Sequence, residues 1–180
     1  MKHGSGPLIA LLLVAGCATT PPGSGGADLD ALLSFTDPAL CEPSPTLSAF
    51  LSAQVAGDAN DGFRAVKVHV PPHYAPVVGR IRVRKEPHYW VVWVPVRGTW
   101  LGMPVVAVHQ TLPEGGDPGD FTIELDAPVS EAERRLKGAG FPARAGEDVT
   151  LGPPDGYAHV MTLISAPDRP GRSMFGCGYE

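Results

Sequence analysis

The sequence predicts an α+β fold, a single mainly antiparallel sheet accompanied by two helices. Three observations lead there. Apolar residues recur at helical spacing in only two places, and β-branched and aromatic runs broken by Pro and Gly fill most of the remainder. The helices do not alternate with strands, as βαβ units would require. The 22 Gly and 20 Pro among 180 residues agree with short elements joined by turns.

The first ordered features cluster near residue 28. Asp28 can cap a short turn carrying Leu29, Leu32 and Leu33, and Ser44-Pro45 then opens a helix, because proline fits a first helical turn. Leu47, Phe50, Leu51 and Val55 continue the helical spacing, and Gly57 supplies a stop. Five strands are expected next: Phe63 to Val70, Val77 to Lys85, Tyr89 to Val96, Trp100 to Gln110 and Phe121 to Leu125. Arg97-Gly98-Thr99 is short enough to close a hairpin between the third and fourth. Pro71-Pro72 and Glu114 to Gly119 make longer connections.

The second helix carries a capping-box signature, Ser130 with Glu133 three residues on, in which each side chain answers the other's backbone donor. Ala132, Leu136 and Ala139 face inward, and Gly138 and Gly140 end the helix. Tyr157 to Ser165 and Ser173 to Tyr179 read as two closing strands. There is no internal repeat.

The N-terminus has a different character. Lys2 supplies positive charge, Pro7 to Ala15 is an almost unbroken apolar run, and the small residues Ala15 and Gly16 precede Cys17. The run is shorter than the roughly 20 residues that span a bilayer, so it reads as the core of a secretion signal. Val14-Ala15-Gly16-Cys17 resembles the lipobox of bacterial lipoprotein precursors. The resemblance covers only this targeting segment. It implies cleavage before Cys17, a diacylglyceryl thioether on its sulfur, and an acyl chain such as palmitate on the freed amine. Ala18 in place of Asp implies sorting to an outer membrane, facing the periplasm. The competing reading is a free cysteine behind an ordinary signal. Two or three acyl chains would hold the protein stably at the membrane, where one would not.

Residues 1–16 are thus expected to be a lipoprotein signal peptide, 17–27 the anchor and a tether, and 28–180 one globular domain. Ala18 to Ala27 has no large side chain to bury, and a coil of ten such residues reaches about 17 Å. Loss of Lys2 with the signal leaves 13 Lys and Arg against 19 Asp and Glu, a net charge of −6. That balance argues against a nucleic-acid partner. Cys41 and Cys177 remain, an even pair in an exported chain, and are expected to form a disulfide. A reactive thiol or metal pair is the alternative, disfavoured because neither lies in a CxxC.

Motif chemistry is sparse. GxSxG, P-loop, HExxH, GxGxxG and cysteine-zinc patterns are all missing, which tilts the reading away from an enzyme without excluding one. His69 and His73 are separated by Pro71-Pro72, which forbids a helical pair of imidazoles. His88, His109 and His159 fall on different strands and read as satisfied polar residues rather than metal ligands. Asp58, Asn60, Asp61 and Gly62 resemble a calcium loop, but His69 stands where the twelfth-position Glu should be, so the segment reads as a turn. No cofactor is implied.

Two features remain as a candidate interaction surface. Arg80, Arg82 and Arg84 alternate with Gly79, Ile81 and Val83, which places three arginines on one strand face. They fit an anion or an acidic partner, and equally a solvated face paired with acidic neighbours; the second is preferred, because one-sided sheets need polar residues outside. Trp90, Trp93 and Trp100, the only tryptophans, fall within eleven residues. Trp90 shares a face with Val92, Val94 and Val96 and is expected in the core, whereas Tyr89 and Trp93 lie opposite. Burial of that second face under the other helix is preferred to an exposed aromatic patch.

The functional expectation is a membrane-anchored envelope protein acting as a protein-interaction module, an inhibitor, immunity or assembly factor, with an envelope protein as partner. The alternative is a carrier or enzyme holding a small lipophilic or anionic molecule in a concavity of the sheet.

Overall fold

The computed structural model describes residues 26–57, 63–65, 70–114, 119–152 and 158–179. The signal segment, Cys17 and nearly all of the tether lie outside these residues, as do Asp58, Asn60, Asp61, Gly62 and His69. In chain order the strands are β1 (Ala27–Asp28), β2 (Phe35–Asp37), β3 (Glu42–Pro43), β4 (Val55–Ala56), β5 (Arg64–Ala65), β6 (Arg82–Lys85), β7 (Tyr89–Trp100), β8 (Met103–Pro113), β9 (Asp120–Leu125), β10 (Asp148–Leu151), β11 (His159–Ser165) and β12 (Ser173–Tyr179). Two α-helices, α1 (Pro45–Ser52) and α2 (Val129–Gly138), complete an α+β architecture.

One sheet of eight strands runs β1-β7-β8-β9-β12-β11-β10, and β6 joins β7 on the same edge as β1. Every pairing in it is antiparallel except β1 with β7, where Ala27 faces Gly98 and Asp28 faces Thr99 in parallel. Ala27, assigned by composition to the tether, is therefore already part of the sheet. Gly98 permits this approach, since a Cβ there would lie 2.6 Å from Leu29 Cγ.

That role explains a correction. Arg97-Gly98-Thr99 is not the hairpin turn; it lies within β7, which runs on to Trp100. The turn is Leu101-Gly102, both at positive φ (51° and 72°), the backbone a tight two-residue hairpin demands. The expected strand from Val77 is also shorter. Only Arg82–Lys85 pairs continuously, and Val78 makes one isolated bridge to Val96. β10 and the β2-β3 ribbon carry no pattern that the sequence reading separated from loops.

Helix α1 begins as expected: Ser44 Oγ accepts from Leu47 N–H at 3.2 Å, and Pro45 occupies the first turn. It stops at Ser52, however, and Val55 pairs with Ala65 in a short ribbon instead of extending the helix. The capping box of α2 does not form. The helix starts at Val129 with Pro128 as its cap and no side-chain cap bond, which puts Ser130 inside the first turn. Ala132 and Leu136 are fully buried, and Gly140, at φ 95°, follows the end.

A single apolar cluster holds Leu47 and Phe50 of α1, Ala132 and Leu136 of α2, and the inner sheet residues Val92, Val94, Val108, Ile123, Phe175 and Met161. Both helices therefore pack on the same face, and the expectation that α2 covers the other is not met. Within the cluster Trp100, Phe141 and Phe175 meet ring to ring, and half-buried Phe35 packs against them, edge-on to Phe141 at 4.9 Å, while Phe141 is edge-on to Phe175 at 5.1 Å. Trp90 is not in this core. It is half-buried, edge-on to Phe63 at 6.0 Å, with Lys85 Nζ 5.4 Å from its ring. The Cys41–Cys177 disulfide is formed across 136 residues and ties β12 to the turn before α1. Chain-entropy reasoning assigns such a loop about 5 kcal/mol.

Candidate functional site

The face opposite α1 and α2 is where polar chemistry collects among the described residues. Pairing register aligns Arg82, Trp93, His109, Thr122, Gly176, Thr162 and Asp148 in one row across β6, β7, β8, β9, β12, β11 and β10. A second row places Arg84, Val91, Thr111 and Asp120 side by side. A third sets Pro95, Ala107, Glu124 and Met174 in line. Strand alternation alone brings these side chains to one side, since paired residues share a face and the chain neighbours of each inward-pointing residue must point outward. Irregular register at Pro95/Gly98 and at Val105/Ala107 adds two bulges beside them, a usual place for re-aimed side chains.

Arg82, Arg84, Val91, Trp93, His109 and Arg169 line a concavity of about 450 Å³ on this face. The Arg82 guanidinium carbon sits 4.3 Å from the centre of the Trp93 ring, and the His109 ring meets that tryptophan edge-on at 6.4 Å. Arg84 Nε contacts Glu86 at 2.6 Å. Trp93 is thus half-buried beneath a cation rather than beneath a helix, which is why the expected burial under α2 fails. Tyr89 is 39% exposed, and neither it nor the exposed Arg80 lines the concavity. The structure therefore brings Arg82, Arg84 and Trp93 together and leaves Arg80 and Tyr89 outside.

Beside the concavity lies an ion cluster that the sequence reading did not find. Glu124 is 4% exposed, and its Oε1 accepts from Arg169 Nη1 and Arg172 Nη1, each at 3.0 Å. Its Oε2 lies 3.3 Å from His109 Nε2. Arg172 Nε also donates to Asp126 at 3.1 Å. A buried carboxylate costs several kcal/mol unless paired and hydrogen-bonded, and this one is both. Burial pushes the His109 imidazole below its ordinary value. The hydrogen bond and charge of Glu124 pull it back only in part, and the Arg169 charge adds to the lowering. The lowering favours the neutral imidazole. The bonds from Arg172 to Glu124 and then Asp126 raise its guanidinium further above an already high value, so its charge is fixed.

Among the described residues no three His, Cys, Asp or Glu side chains come together as metal ligands. His73 is exposed, its ring tilted against Tyr74 with centroids 3.9 Å apart, and His88 is exposed. Among the described residues, too, no helix is long and apolar enough to cross a membrane. Comparison with known proteins finds no matching family model, no matching curated protein and no matching solved structure.

Proposed function

We propose that this chain is a lipid-anchored domain of a bacterial envelope, attached through Cys17 to the periplasmic side of the outer membrane, which binds an envelope protein on the open face of its sheet. One observation carries the reading. Both helices pack on one face, while the other holds the Arg82-Trp93 stack above a concavity of about 450 Å³. Tryptophan and arginine are the side chains most enriched where interfaces concentrate their binding energy. The Cys41–Cys177 disulfide supports an oxidising compartment. The lipobox sequence supports the anchor.

A second reading, a carrier for a small anionic molecule, is favoured by the size of the concavity, which lies within the range of small-molecule sites. Site-specific photocrosslinking in native membranes separates the two. A crosslinker at Thr122, on the open face, is expected to capture one envelope protein, and one at Ser48, on the exposed side of α1, to capture none. Equal capture at both positions, or none at either, contradicts the interaction reading.

A further inference from the structure

We infer that the concavity beneath Arg82 is a binding site for an oxyanion, a carboxylate or phosphate, carried on a flat apolar body. The inference deepens the interaction reading by naming the group that enters the open face. The Arg82 guanidinium carbon lies over the Trp93 ring at 4.3 Å, and among the described residues no hydrogen bond occupies its five N–H groups. Among the described residues no carboxylate pairs with Arg82, whereas Arg84 has Glu86, and Arg169 and Arg172 have Glu124. The cluster formed by these four arginines with Glu86, Glu124 and Asp126 keeps one positive charge in excess.

Arg169 spends one N–H group on Glu124 and has others to give. Three guanidiniums thus border the concavity, and those of Arg82 and Arg169 have donors suited to a forked acceptor. Arg84 and the His109 ring complete the polar lining, Val91 and the Trp93 ring supply the apolar walls, and the volume far exceeds that of a bare inorganic ion. A ligand must therefore bring an apolar portion to fill it. His109 contributes a third donor when it takes up a proton. As a neutral ring it gives Nε2–H to Glu124 and keeps Nδ1 as an acceptor; protonation makes Nδ1 a donor as well. The charged groups around it are Glu124 on β9, Arg169 and Arg172 between β11 and β12, and Arg82 and Arg84 on β6.

The test is a titration of the disulfide-bonded domain with phenyl phosphate, benzoate and inorganic phosphate, read by NMR at the Trp93 indole and His109 ring signals. Phenyl phosphate and benzoate should give saturable shifts, with inorganic phosphate about tenfold weaker. Arg82→Ala should weaken binding about tenfold, the loss of one charge-assisted bond, and Arg97→Ala, an exposed arginine outside the concavity, should leave it unchanged. Non-saturable shifts insensitive to Arg82→Ala, or no shift with any probe, overturn the site. Displacement of the photocrosslinked partner by phenyl phosphate assigns the oxyanion to that partner; undisturbed crosslinking with saturable probe binding assigns it to a free small acid. Crosslinking without probe binding defeats this site and spares the interaction reading, and probe binding without crosslinking does the reverse.

Discussion

Arg169 and Arg172 close on the same oxygen of Glu124, each at 3.0 Å, from a turn 45 and 48 residues away in the chain. Either arginine alone keeps the carboxylate paired. Single Arg169→Ala and Arg172→Ala changes should therefore each cost about 1 kcal/mol, while the double change strands a buried charge and should cost about 4 kcal/mol, well above the sum. Urea denaturation of the four proteins checks this. Additive losses would mean that the two pairs act independently.

His109 makes stability depend on pH, with a sign fixed by its neutral state. Below pH 6.5 the unfolded chain takes up a proton at this ring that the folded chain resists, because burial lowers the folded value. The unfolded state then binds more protons, so this contribution is intact above pH 6.5 and is lost as pH falls from there toward the lowered folded value. His109→Gln should flatten that part of the curve while carboxylates titrate as before. Thermal midpoints between pH 7.5 and 5 measure it, and an identical slope in the variant would contradict the assignment.

Gly98 is predicted to be intolerant of any side chain. A Cβ there would press on the Ala27 carbonyl and the Leu29 side chain, so Gly98→Ala must push β1 from β7 or distort the strand. A loss of about 3 kcal/mol is expected, at the upper end for overpacking. Hydrogen exchange should localise the damage, with the Leu29 amide, bonded to the Thr99 carbonyl at 2.8 Å, losing protection.

Removal of the disulfide by the paired change Cys41→Ser and Cys177→Ser should lower stability by about 4 to 5 kcal/mol at pH 7, from the freed chain entropy of a loop spanning 136 residues. Chemical unfolding with and without reductant gives the same comparison on the natural chain. A loss under about 1 kcal/mol would mean that native strain offsets nearly all of the entropic gain.

Local signals were legible and long-range ones were not. Ser44-Pro45 announced a helix start because cap and first turn are neighbours in sequence, and the alternation at Arg80, Arg82 and Arg84 matched the exposed positions of that segment. Cys41 and Cys177 could be paired because only two cysteines follow Cys17. The Ser130-Glu133 pattern misled because it spans only four residues, and the chain had already turned helical at Val129. Gly98 misled in another way: a glycine needed for close approach looks in sequence like one needed for a turn. The density of aromatics around Trp93 suggested a covering helix, whereas a stacked guanidinium from β6 covers it instead. Glu124 carried one faint signal, a charge inside an apolar strand. Its partners come from a Pro-Gly turn whose place in space depends on the whole sheet.

Native mass spectrometry of the full-length protein, extracted from its own membranes in mild detergent, reads anchor, disulfide and bound ligand in one sample. The expected species is a chain beginning at Cys17 that carries acyl mass, gains two hydrogens on reduction, and retains a bound partner or small acid that Arg82→Ala releases. An unlipidated chain with free thiols, or a bound mass indifferent to Arg82→Ala, would contradict the proposed function.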